Sequence, residues 1–144
     1  LVITALLQGL SLSEICKLST TEINTADSHF DVPGSPNRQL PVSKKLAELI
    51  NKNIDFDITE SEAISLINCA AFDAQMTDSS CISAESVRYS YINFLIRQGI
   101  TLVDLENVIG ALPAQVVSEY MQLAGKTPRK NITEINLVYP LLAS

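Results

Sequence analysis

The chain has 144 residues, a formal charge of −6 and 47% apolar residues, with five glycines, six prolines and a single histidine, His29. That length and apolar content suit one folded domain around one hydrophobic core and exclude a linker or tail. One histidine excludes a multi-histidine metal site, no apolar run is long enough to span a bilayer, and an acidic balance is a poor basis for autonomous DNA binding.

The charge is unevenly spread. Seven acids and no Lys or Arg occur between Asn53 and Val87, whereas Lys126, Arg129 and Lys130 cluster near the end. A local basic face can still work inside an acidic whole. Cys16, Cys69 and Cys81 are odd in number and lack ligand-like spacing. Free thiols in a reducing, cytoplasmic setting are expected, with Cys69 and Cys81 in the core. The opening LVITALLQGL lacks a basic leader and starts abruptly, so Leu1 is expected to lie inside a longer natural chain.

Residues 1–9 carry helical apolar spacing that stops at Gly9. Ser11-Leu-Ser-Glu14 is a capping box before a short helix with Ile15 and Leu18 on its apolar face. HFDV (29–32) and RQLPV (38–42) read as extended segments flanking the turn GSPN (34–37), hence a small antiparallel hairpin. Helix follows almost to the end. Ser43 caps 44–52, and Thr59 with Glu62 boxes the start of 60–74. Val87, Tyr91, Phe94 and Leu95 form a buried stripe in 84–98. Gly99 ends that helix, Thr101 and Asp104 open one that stops near Gly110, and Pro113 suits the first turn of the helix carrying Tyr120. Asn131 and Glu134 begin a last helix whose apolar face is Ile132, Ile135, Leu137 or Val138, and Leu141. The class is mainly α with a small antiparallel β-sheet.

Three ordered blocks carry a family resemblance. GLSLSEICKLSTTEI (9–23), RQLPVSKKLAELI (38–50) and VRYSYINFLIRQGITLVDLENVIGALPAQVVSEY (87–120) resemble, in order and spacing, the catalytic domain of tyrosine recombinases, the phage-integrase family. The nine positions from Ala111 to Tyr120 match the family's interval between its second His and its Tyr nucleophile. The resemblance implies a single integrase-like catalytic domain over 1–144, lacking the family's DNA-clamping N-terminal domain.

It also implies the chemistry. The family's tyrosine oxygen attacks a DNA phosphodiester to give a 3′-phosphotyrosine and a free 5′-hydroxyl. A phenol with a pKa near ~10 is a weak nucleophile, so two Arg, a hairpin Lys and His or Trp partners gather around the phosphate. Carried over residue by residue, Tyr120 matches the nucleophile and Arg88 the second Arg. Ser11 stands at the first Arg, Glu85 at the first His and Ala111 at the second His. No lysine lies between Leu18 and Ser43. Each lost transition-state donor typically costs ~10²–10³ in rate, and Glu85 would repel a phosphate. Arg38, Lys44 and Lys45 are candidate DNA-backbone contacts.

Plainer roles stand beside these. Ser11 is a good N-cap, Arg88 could pair with Glu85, Glu14 or Glu22, and Tyr120 could be a packing residue with a wet hydroxyl. Three functions remain open: a DNA-associated recombination or integration protein with a degenerate strand-transfer site, an active strand transferase acting through Tyr120, and a silent protein–protein module. No cofactor and no metal are expected. The expected partners are double-stranded DNA and a second copy meeting the C-terminal helix 131–143, with no membrane and a cytoplasmic or nucleoid location.

Overall fold

The computed structural model describes residues 1–17, 23–24, 29–32, 38–52 and 57–142. Two short helices, α1 (Val2–Leu6) and α2 (Leu12–Cys16), lead into three strands, β1 (Ile23–Asn24), β2 (His29–Val32) and β3 (Arg38–Pro41). Six helices follow: α3 (Lys44–Lys52), α4 (Glu60–Asp73), α5 (Ala84–Arg97), α6 (Leu102–Ile109), α7 (Ala114–Leu123) and α8 (Ile132–Val138). A single 3₁₀ turn, Ser79–Cys81, precedes α5. Among the described residues no helix is long and apolar enough to cross a membrane.

Local capping chemistry sets most helix starts. Ser11 and Glu14, Thr59 and Glu62, and Asn131 and Glu134 all form reciprocal capping boxes. The Leu46 N–H donates to Ser43 Oγ at 3.1 Å, and the Asp104 N–H donates to Thr101 Oγ1 at 3.2 Å. A further box, Ser83 with Ser86, opens α5 without the acidic fourth residue that makes such boxes legible. The helix expected over 1–9 is confined to Val2–Leu6, and the chain then turns at Gly9 with φ +97°.

The hairpin forms with Phe30 opposite Leu40 and Val32 opposite Arg38. A third strand, which no local pattern announced, adds Ile23 opposite Phe30. The GSPN turn lies outside the described residues. Along β3, Arg38 and Leu40 face inward while Gln39 is exposed, so this strand seats one side on the core and packs against α6.

Helix α5 is the central element, with α1, α6 and α7 packed against it. Tyr91 and Leu95 of the expected stripe are fully buried, and Val87 and Phe94 sit at its half-buried margin. Two expectations fail. Cys69 and Cys81 are exposed free thiols: α4 buries only the seam Ala63, Ile67 and Ala71, and the 3₁₀ turn carrying Cys81 buries none of its residues. On α8, Leu137 and Val138 face solvent, and Tyr139, one turn beyond Ile135, fills the core instead. Its ring lies against Tyr91 and Phe94 at 4.7 and 5.0 Å between centroids, and its hydroxyl donates to Leu7 O. The C-terminal helix thus docks on its own domain.

Candidate functional site

The candidate residues converge where α6 ends. A helix C-terminus leaves carbonyls without intrahelical donors and concentrates partial negative charge there. Here two guanidinium groups meet that need. Arg38 donates through Nη1 to Val108 O, and Arg88 donates through Nη2 to Ile109 O at 2.7 Å. Arg88 also donates through Nε to Gly9 O at 2.9 Å, so it ties the α1–α2 turn to the end of α6.

Arg38 is buried, and its Nη2 pairs with Glu14 Oε1 in the ion pair present among the described residues. The other carboxylate oxygen of Glu14 accepts the Ser11 N–H at 2.8 Å, while the Glu14 N–H donates to Ser11 Oγ at 3.3 Å. Burial works against the Glu14 carboxylate, but the Ser11 N–H and the Arg38 guanidinium outweigh it and hold its pKa below the usual value. Burial lowers the pKa of Arg88, with Glu14 and Glu85 opposing and Arg38 adding to the shift. Gly110 is required beside this cluster. Its φ is +82°, and a Cβ there would stand 3.4 Å from Arg38 Nε.

The neighbours of Arg88 line an open cleft between α5 and α7 that includes Ser83, Glu85, Ser86, Tyr89 and Pro113. Glu85 is exposed in the first turn of α5. The Tyr89 hydroxyl is pushed up to about 12, first by burial and then by the Glu119 carboxylate, and it lacks a hydrogen-bond partner of ordinary geometry. Ala111 follows Gly110 as an exposed methyl with no donor to offer.

Tyr120 lies elsewhere. It is half-buried on α7 and lines a separate cleft with Ile96, Gly99, Leu123, Thr127 and Arg129. Val116, one turn earlier on α7, is the buried residue that reaches the Arg88 cleft. Arg88 thus lines the cleft between α5 and α7, and Tyr120 lines the one beside Gly99. The floor of the Tyr120 cleft is fixed by Gly99, whose carbonyl accepts the Lys130 N–H at 3.0 Å and whose added Cβ would meet Pro128 O at 2.3 Å.

Of the candidate backbone contacts, Lys44 and Lys45 are exposed at the start of α3, whereas Arg38 is enclosed. The inward course of Arg38 was readable in principle, since it sits two residues from buried Leu40 on an alternating strand. Ser11 serves as the N-cap of α2. Among the described residues no group of three His, Cys, Asp or Glu side chains could hold a metal ion.

No family model matches the chain, and no curated protein sequence matches it. Solved structures do. The crystal structure of XerA recombinase superposes with a TM-score of 0.64 at 14% identity, over 88% of this chain and 57% of that one. The chain has a recombinase-like fold. It spans somewhat over half the length of that neighbour, at 57%.

Proposed function

We propose that the chain is a divergent integrase-family protein that associates with DNA in recombination or integration while its strand-transfer centre is degenerate. The supporting observation is the engagement of both arginines. Arg38 is buried on Glu14 and Val108 O, and Arg88 uses Nε and Nη2 on main-chain carbonyls. A guanidinium stabilises a transferring phosphoryl group through paired donors; Arg38 is enclosed by its own partners, and Arg88 keeps only its Nη1 donors and one Nη2 hydrogen outside its two main-chain bonds. Ser11 caps a helix, Ala111 offers a methyl, Glu85 brings negative charge, and Tyr120 is half-buried on α7. DNA association then rests on exposed cations such as Lys44 and Lys45.

Nicked suicide duplexes of randomised sequence test this reading. We expect no covalent protein–DNA adduct, together with salt-sensitive retention of duplex that weakens in the Lys44→Gln/Lys45→Gln variant. An adduct that disappears with Tyr120→Phe would establish an active transferase and overturn the degenerate-site reading. Absence of duplex binding even at low salt would overturn DNA association.

A further inference from the structure

Helix α4 docks on α1 and α2 and buries only Ala63, Ile67 and Ala71, a seam at i, i+4 and i+8. Outside that seam Leu66 is 54% exposed and Phe72 76% exposed. A surface groove runs along this side of the helix, lined by Ile58, Ser65, Leu66 and Cys69 together with the acids Asp57 and Glu62. Phe72 and Asp73, three and four residues past Cys69, carry the same side one turn further. Large apolar side chains left in solvent beside an open groove mark a contact surface.

The charge around the groove selects what can cover it. Asp57, Glu60, Glu62, Asp73 and Asp78 are all exposed, and no Lys or Arg occurs from Asn53 to Val87. Among the described residues none of these carboxylates is ion-paired. Glu62 stays ionised, since the Thr59 N–H and hydroxyl hold its carboxylate below the usual pKa. A second copy meeting this face through its own α4 would set acid against acid. Duplex DNA or an anionic bilayer would meet the same repulsion. The complement is a segment with a stripe of large apolar side chains and Lys or Arg beside them. The groove lies along a helix of 14 residues, about 20 Å long, so an amphipathic helix laid alongside it matches in length and pattern.

We infer that the α4 groove receives a basic amphipathic helix of a partner protein. Its apolar side chains pack against Leu66 and Phe72, and its flanking Lys or Arg meet Asp57, Glu62 and Asp73. The inference does not depend on the proposed DNA role, because Lys44 and Lys45 belong to α3 and lie outside this groove.

A synthetic helix of about twenty residues, made of Leu and Lys with Leu at i, i+3, i+4 and i+7, is the probe. Fluorescence anisotropy should give a micromolar Kd that weakens with salt, and a Leu/Glu peptide of the same pattern should not bind. Leu66→Ser/Phe72→Ser should weaken binding at least ~tenfold. Asp57→Asn/Asp73→Asn should weaken it ~threefold or more at low salt. Glu48→Gln/Glu106→Gln, an equal change of charge placed on α3 and α6, should leave it unchanged. All six side chains are exposed, so circular dichroism should show every variant folded. Equal losses in the two charge variants would reduce the binding to net charge and overturn the assignment. So would binding that survives Leu66→Ser/Phe72→Ser, no binding of the Leu/Lys helix at low salt, or self-association of the protein that the same double variant abolishes.

Discussion

Arg38 and Arg88, from a strand and a helix fifty residues apart in sequence, donate to the adjacent carbonyls of Val108 and Ile109. The two guanidinium groups close the end of α6 together. Their side chains hold the β-sheet, α5 and the α1–α2 turn to one point, so they carry much of the tertiary connection around the candidate site.

Replacing Arg38 by alanine strands Val108 O and leaves Glu14 with the Ser11 N–H and no cation. Removing one partner of a buried pair typically destabilises by about 3–5 kcal/mol, and the partial exposure of Glu14 places this change toward the lower end. Urea unfolding of Arg38→Ala, Glu14→Gln and the double variant should show coupling, with the double variant less destabilised than the sum of the two singles.

Glu14 also sets an acid limit. Its folded-state pKa lies below the usual glutamate value, so the ionised form is favoured by folding. The stabilisation is complete above the unfolded value and disappears as pH falls through the lower folded value. Thermal unfolding followed below pH 4.5 should fall steeply in the wild type and more gently in Glu14→Gln. An unchanged slope in that variant would show that other carboxylates dominate.

Gly99 is irreplaceable for two reasons that act together. Its φ of +87° is unfavourable for an L side chain, and an added Cβ would stand 2.3 Å from Pro128 O, a backbone atom that cannot swing aside. Gly99→Ala should destabilise by about 2 kcal/mol or more. Because Lys130 N–H pairs with Gly99 O, amide exchange should rise at Lys130 before the core opens.

The sequence made local features plain and hid relational ones. Three capping boxes formed at Ser11, Thr59 and Asn131 because a cap depends on residues three apart. The two-residue strand Ile23–Asn24 has no pattern of its own and exists only by pairing with β2. Cys69 was expected inside because a free cysteine usually packs as a small apolar residue, yet α4 docks through the narrow seam of Ala63, Ile67 and Ala71 and leaves it exposed. Spacing singled out Tyr120 and Arg88, but the main-chain carbonyls that Arg88 meets, Gly9 O and Ile109 O, come from distant segments that no spacing reports.

The last helix shows the same limit and supplies a sharper test. Apolar Leu137 and Val138 suggested its buried face, whereas the helical step from Ile135 brings Tyr139 onto the core. Tyr139 contributes in two separable ways, through its ring against Tyr91 and Phe94 and through its hydroxyl on Leu7 O. Tyr139→Phe keeps the ring and should destabilise by about 1 kcal/mol, the net worth of one hydrogen bond plus an unmet carbonyl. Tyr139→Ala also empties a buried aromatic site and should destabilise by about 3–5 kcal/mol. Burial raises the Tyr139 phenol to about 12, so its folded pKa lies above the unfolded one. The neutral form is therefore favoured by folding, and that stabilisation is fully present below the ordinary phenol value and lost as pH rises toward about 12. Denaturant unfolding followed through that alkaline range should steepen in the wild type and flatten in Tyr139→Phe. Equal slopes would mean that the α8 latch does not titrate with this hydroxyl.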